Sequence, residues 1–358
     1  MMARFGTANR LVALTVFGSL ASAPMSMNAN ADTLRFTGVN IAGAEFNGRK
    51  LPGIPSTDYF YPSKPMIDHF AAKGMNTIRL PFLWERLQPA LGGELDAGEL
   101  KRLDDTVRYA TARGLHVVLD VHNYAAYRRA PIGTADVTAA SLGDLWRRIA
   151  IHFKGNRDVI FGLMNEPKGL KTETWLEAAN AAIAAIRETG AQQLILVPGN
   201  AWTGAHSWTS RGYGTPNAEA MLGVTDPANN YAFEVHQYLD KDFSGTKPEC
   251  RNEQAGVVAL QKFTEWLKTN RKRGFLGEFG GGSDPVCLAA LDGMLTHMAE
   301  NKEVWLGWTY WAAGFWPPSY FTSVQPVNGV DTPQMAVLLK HVAASSGREM
   351  KPNELRPK

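Results

Sequence analysis

Short apolar runs recur along this chain about every forty residues, and between most of them lie stretches with apolar residues at three- and four-residue spacing. The runs are Leu34–Asn40, Met75–Leu80, Leu115–Val121, Val159–Met164, Leu194–Val197, Tyr231–Val235, Gly274–Glu278 and Val304–Tyr310. The helical stretches are Lys64–Lys73, Glu99–Arg113, Ala139–Phe153, Thr174–Glu188, Glu253–Arg273 and Asp284–Asn301. Alternation of this kind builds parallel strands, because each crossover helix returns the chain to the same end of the sheet. Eight such units in 358 residues fit a closed (β/α)8 barrel, the TIM barrel of the α/β class, better than an open sheet. No linker or low-complexity tract interrupts them, so residues 32–345 read as a single domain, followed by a basic tail at 346–358.

The first thirty-one residues read differently. Arg4 and Arg10 precede an apolar stretch, Leu11–Ala23, that is too short to span a bilayer comfortably. Small-residue sites follow at Ala21-Ser22-Ala23, spoiled by Pro24, and at Ala29-Asn30-Ala31. This is the layout of a secretory signal peptide, with cleavage expected after Ala31 and a secreted, extracellular or periplasmic product starting near Asp32. Retention as an uncleaved anchor is the alternative. In an oxidising compartment the two cysteines, Cys250 and Cys287, read as a disulfide rather than two buried thiols. A net charge of +3 gives no reason to expect nucleic acid or an acidic membrane surface as a partner.

Polar residues gather where the apolar runs end. Run two ends in Ile78-Arg79-Leu80-Pro81, run three in Asp120-Val121-His122-Asn123-Tyr124, and run four is capped by Asn165-Glu166-Pro167. Run six ends in Glu234-Val235-His236-Gln237-Tyr238, run seven in Glu278 and run eight in Trp308-Thr309-Tyr310-Trp311. Barrel interiors hold branched aliphatics, and catalytic residues sit at the C-terminal ends of the strands. Any one of these groups can be a satisfied structural residue. The whole set on one rim reads as a mutually hydrogen-bonded site, since buried and unpaired it would cost several kcal/mol. Two glutamates on that rim suggest an acid and a nucleophile flanking a glycosidic bond.

With these residues the chain resembles glycoside hydrolase family 5, the large family of retaining (β/α)8 glycosidases that includes many cellulases. The resemblance covers essentially the whole domain and rests on Arg79, His122, Asn165-Glu166-Pro167, His236, Tyr238, Glu278 and Trp311, in the family's order. The flanking segments Val39–Gly43, Leu80–Arg86 and His122–Tyr124 are most similar to the endo-β-1,4-glucanase branch. The resemblance implies that Glu166 is the acid and then the base, and Glu278 the nucleophile that forms a glycosyl-enzyme. Arg79 and Tyr238 are then suited to holding Glu278 as a carboxylate, and His236 to lying beside Glu166. Asn165 is placed for the sugar 2-hydroxyl, His122 for another hydroxyl, and Trp311 for the floor beneath the ring. Asp120 and Glu234 share the faces of His122 and His236 and read as their partners inside the barrel.

The ten tryptophans offer sugar platforms. Trp208 and Trp316 are favoured for this, with Trp202 and Trp84 as further candidates and Asn123 as a polar contact; gap-filling under a loop is the competing role for each Trp. Glu45, in the first loop, is placed to border the cleft, with a simply solvated loop acid as the favoured alternative. The histidines lack metal-site spacing and Gly280-Gly281-Gly282 lacks the residues of a P-loop, so no metal and no cofactor are expected. The resemblance therefore implies an endo-β-1,4-glucanase (cellulase) whose partner is a β-glucan polysaccharide, and the chain is expected to be a monomer. An endo-mannanase, xyloglucanase or mixed-linkage glucanase would use the same catalytic set, and a non-catalytic glycan-binding barrel would not need it.

Overall fold

A computed structural model describes residues 1–2, 34–212 and 214–342, and the chain divides into two units, Met1–Ala31 and Asp32–Lys358. The apolar stretch and cleavage site of the expected leader, and the basic tail, lie outside the described residues. Within the second unit eight parallel strands close into a barrel: β1 Phe36–Ala42, β2 Thr77–Phe82, β3 His116–Val121, β4 Val159–Gly162, β5 Ile195–Pro198, β6 Tyr231–Tyr238, β7 Gly274–Gly280 and β8 Trp305–Gly314. Each pairs with its neighbours in sequence, and β1 closes on β8. The expected (β/α)8 barrel is the observed fold.

Helices α1 Lys64–Ala72, α2 Ala97–Thr111, α3 Ala139–Phe153 and α4 Thr172–Glu188 follow the first four strands. After β5 the crossover shrinks to one helical turn, α5 Asn217–Ala220, which explains why no helical period is legible there. Helices α6 Ala255–Asn270, α7 Pro285–Glu300 and α8 Pro333–Lys340 complete the ring. Their starts are set by local chemistry. The Asp96 carboxylate accepts the Glu99 N–H, Thr138 and Ser141 form a reciprocal cap, and Asp284 accepts the N–H groups of Val286 and Cys287. Among the described residues no helix is long and apolar enough to cross a membrane.

Two apolar layers build the core. The larger lies between strands and helices and includes Val117, Leu119, Phe161, Ile195 and Phe233 with helix residues such as Leu103, Trp146 and Ile183. The alternate strand residues form the second cluster, of Phe36, Val118, Ile160, Leu194, Leu196, Ala232 and Phe275. Period-two alternation puts this cluster inside the barrel, with Asn40, Arg79, Asp120 and Glu234 also on inward faces, nearer the strand C-termini. The barrel is therefore greased at its N-terminal end and charged towards the rim. A register shift between β6 and β7 finishes the arrangement: Val235 pairs with Leu276, but His236 pairs with Glu278, so Gly277 is the extra residue. Such irregularities re-aim a side chain where a site needs it.

The loop after β6 is joined to the first turn of α7, which follows β7, by the Cys250–Cys287 disulfide, whose Cα atoms lie 5.1 Å apart. This is the pairing expected from the sequence. A crosslink there limits independent movement of the two strand ends that carry Tyr238 and Glu278.

Candidate active site

Arg79, fully buried at the centre of the rim, organises the site. One of its Nη atoms donates to Glu278 Oε1 at 2.7 Å and to Asn40 Oδ1 at 3.0 Å, and the other donates to Asn165 Oδ1 at 2.9 Å. Asp120 lies 3.1 Å and Glu234 3.0 Å from the same guanidinium. Burial opposes the charge, but the carboxylates of Asp120, Glu234 and Glu278 outweigh it and hold Arg79 ionised. A planar fork with five donors suits this task; an ammonium cannot satisfy so many partners from one position.

Glu278 is held at both oxygens. Arg79 binds Oε1, and the Tyr238 hydroxyl donates to Oε2 at 2.9 Å. Burial and the adjacent Glu278 charge keep the Tyr238 phenol protonated well beyond its usual range. Glu166 is the more open carboxylate, with its side chain 16% exposed against 5% for Glu278. Its backbone takes a left-handed φ of 43°, uncommon outside glycine, which turns the side chain off the direction of β4. His236 bridges the pair. Its Nδ1 lies 2.9 Å from Glu166 Oε1 and 3.6 Å from Glu278 Oε2, and its Nε2 lies 3.4 Å from Glu234 Oε1. Burial alone would depress the His236 pKa, but the three carboxylates reverse this and push it up to about 10.

A second histidine repeats the pattern. His122 Nδ1 lies 2.7 Å from Asp120 Oδ2, and despite burial that carboxylate raises the ring's pKa. The Trp311 indole stacks on His122 with centroids 5.6 Å apart and planes at 17°. Trp311 donates its N–H to the Tyr320 hydroxyl at 3.0 Å, and Trp316 stacks on Tyr320 at 4.4 Å with Phe46 edge-on to it at 4.8 Å. Tyr320 and Phe46 were not among the sequence candidates, because loop aromatics carry no periodic signal. Asn165 spends its Oδ1 on Arg79, and its Nδ2 is buried with no protein partner. A buried donor left open at a rim is suited to a ligand hydroxyl.

The remaining candidates separate by burial. Trp202 is 44% exposed and lines a cavity of about 950 Å³ with Lys168, Leu170, Thr172 and Thr215, beside Glu166 in the chain. The Lys168 ammonium lies 4.6 Å from the Tyr124 ring and 5.4 Å from the Trp202 ring. Trp84 and Trp208 correct the sequence reading: both are completely buried and offer no face to a sugar. Trp84 bonds Gln88 and packs edge-on to Tyr127, while Trp208 sits among Phe233, Phe263 and Trp266. Asn123 is also a brace rather than a contact. Its Oδ1 accepts the Trp84 N–H at 2.8 Å, and its Nδ2 donates to Glu85 at 2.7 Å.

Glu45 is the other correction. Its Oε2 accepts the Gly43 N–H at 2.8 Å, and its Oε1 is buried without a partner. Burial raises its pKa from 4.5 to about 7, against the opposing pull of His122. Below pH 4.5 this carboxyl is protonated in the folded and unfolded chain alike, and stability is lost as pH rises from there through about 7. Glu45→Gln is therefore expected to be more stable than wild type at pH 8, by on the order of 2–3 kcal/mol, and not at pH 4.5. Urea unfolding at the two pH values checks this.

One atom each from Glu166, His236 and Glu278 lie within 4.8 Å of one another, the one cluster among the described residues with spacing for a metal ion. A metal would need an unprotonated histidine nitrogen, which this ring, pushed up to about 10, gives up reluctantly. The same closeness gives the two carboxylates, held so differently, the means to act as a pair.

The family model for cellulase (glycosyl hydrolase family 5) matches residues 38–314. Endo-β-1,4-glucanase B of Emericella nidulans is 38% identical over 323 residues, 90% of this chain and 95% of that protein. The solved structure of an endo-β-1,4-glucanase from Xanthomonas axonopodis pv. citri is 55% identical, with a TM-score of 0.85 over 86% of this chain and 99% of that one. A structure of XacCel5A in complex with cellopentaose matches equally well, at 55% identity and a TM-score of 0.85, covering 86% and 99% of the two chains. Similarity of this extent, over the strands and loops that carry the two glutamates, means that the chain belongs to glycosyl hydrolase family 5, the cellulases, and is a glycoside hydrolase.

Proposed function

We propose that this protein is a secreted endo-β-1,4-glucanase that cleaves internal bonds of β-1,4-glucan with retention of configuration. The observation that carries the mechanism is the separation of the carboxylates. An oxygen of Glu166 and an oxygen of Glu278 lie within 4.8 Å of each other, close enough to support the roughly 5–5.5 Å carboxyl separation of a double displacement. The names of the relatives and the cellopentaose bound to XacCel5A support the glucan. Secretion rests on the N-terminal pattern of Arg4, Arg10 and Leu11–Ala23.

In the first step Glu278 Oε attacks the anomeric carbon, while Glu166 gives its proton to the departing glycosidic oxygen. Arg79 and the Tyr238 hydroxyl aim the nucleophile, one on each oxygen. The open Asn165 N–H groups take the 2-hydroxyl, a contact that tightens as charge develops on the sugar. His122, with Nδ1 committed to Asp120, turns Nε2 to another hydroxyl, and Trp311 and Trp316 shape the adjoining aromatic wall. Trp202, exposed beside the Glu166 loop, offers a further platform for a sugar unit. In the second step Glu166, now a carboxylate, takes a proton from the water that frees the sugar.

Viscosity loss measured against reducing ends on carboxymethyl-cellulose tests the reading. An endo-acting enzyme drops viscosity steeply while few ends appear. Parallel rates on galactomannan, xyloglucan and barley glucan decide between this glucanase and its relatives: a higher rate on any of these than on carboxymethyl-cellulose overturns the proposed specificity. Inactivity on all four would overturn the proposed glucan substrate.

A further inference from the structure

We propose that Glu234 is a positioning residue whose buried carboxylate keeps both nitrogens of His236 protonated, so that one ring N–H is always committed to Glu166. The inference deepens the reading above and rests on its assignment of Glu166 as acid and base. Glu234 is completely buried on β6, two residues before His236 and on the same face. Its Oε1 lies 3.0 Å from Arg79 Nε and 3.4 Å from His236 Nε2, and its Oε2 is buried without a partner. A carboxylate enclosed in this way has no solvent role.

The neighbouring strand makes room for it. A Cβ at Gly277 would stand 2.0 Å from Glu234 Oε1, so any side chain there would evict the carboxylate. Gly277 is also the extra residue of the β6–β7 register shift that sets Glu278 opposite His236. One glycine thus admits Glu234 beneath His236 and brings Glu278 beside it. Its carbonyl is fixed by the Asn40 amide at 2.9 Å and the Thr309 hydroxyl at 2.7 Å, so the backbone cannot drift to relieve the crowding.

The groups facing the His236 ring are Glu166 from the loop after β4, Glu278 from β7 and Glu234 from its own strand, with Arg79 from β2 touching the last two. Tyr238 reaches the cluster through Glu278, and the loop after β5 contributes the Ala205 N–H, bonded to the His236 carbonyl at 3.1 Å. Nδ1 faces Glu166, with Glu278 3.6 Å away, whereas Nε2 has only Glu234 beside it among the described residues, so the group there sets whether that second nitrogen keeps its proton. A carboxylate there accepts from Nε2–H. A glutamine in its place can turn its amide to donate instead, which favours a neutral ring protonated at Nδ1 alone.

The test is a ¹⁵N-histidine NMR titration of the full mature chain, for wild type and Glu234→Gln, with kcat/KM against pH on a soluble cello-oligosaccharide. Wild type is expected to show both His236 nitrogens protonated at pH 7. Glu234→Gln is expected to lose the Nε2 proton at least one pH unit earlier, and its alkaline limb of activity to move down with it. A bare His236 nitrogen in wild type at pH 7 overturns the proposal, and so does a variant whose titration is unmoved although kcat falls. The wild-type measurement can overturn the proposal even if the variant does not fold. The titration contains no substrate, so an inactive wild type with a doubly protonated His236 would sink the glucanase reading and leave this one standing.

Discussion

Glu278→Gln is expected to fold like wild type and to lose at least about 10⁴-fold in kcat, equivalent to ~5 kcal/mol of barrier. The amide nearly matches the carboxylate in shape, so Tyr238 and Arg79 can keep hydrogen-bonded contact with it. Under the proposed double displacement, what disappears is the electron pair that forms the glycosyl-enzyme, and neither Glu234 nor Asp120 supplies it, since both lie against the guanidinium at the buried end of the site. Reducing-sugar release on carboxymethyl-cellulose measures the loss. Glu166→Gln is the control that separates the two carboxylates. Its defect is expected to shrink with an activated phenol as leaving group, which needs no proton, whereas Glu278→Gln gains nothing from such a substrate. Equal rescue of both variants would show that the roles have been misassigned.

Arg79→Met is expected to destabilise the protein by about 3–5 kcal/mol at pH 7 as well as to inactivate it. The substitution removes one cation and leaves Asp120, Glu234 and Glu278, previously 3.1, 3.0 and 2.7 Å from it, buried side by side. Among the described residues no other arginine pairs with these carboxylates to offset their mutual repulsion in a low dielectric, and His236 is already engaged by Glu166, Glu234 and Glu278. Urea unfolding checks this, and the defect should narrow at acid pH, where protonated carboxyls need no counter-charge. Arg79→Lys restores the charge without the fork. It cannot reach Asn40, Asn165 and Glu278 from one point, so it is expected to recover stability better than activity.

Much of this barrel is legible before folding. The alternation of apolar runs with helical periods names the architecture, since a parallel strand after every helix leaves few other closures. Arg79, His122, Asn165, Glu166, His236, Tyr238 and Glu278 are also readable, because a charged residue at the end of an apolar run is costly anywhere but at a rim. The partnership of Asp120 with His122 and of Glu234 with His236 follows from period two. Strand ends were less exact: β6 runs three residues past Val235, to Tyr238, and β4 stops at Gly162 although the apolar run continues to Met164.

The sequence by itself determined which side chains ride on which strand and which end of the strand they occupy, because those depend on local period and order. Only the tertiary structure decided what lies against what. Trp84 and Trp208 look like Trp202 in the sequence, yet the first two fill the core and the third is exposed, since burial depends on which helix covers the loop. Glu45 belongs to an ordinary loop until the folded barrel buries its Oε1 near His122. Gly277 is one of 34 glycines until the register shift between β6 and β7 makes its missing side chain the space for Glu234. Pattern is a property of neighbours in the chain. Packing and electrostatics are properties of neighbours in space, and those exist only once the barrel has closed.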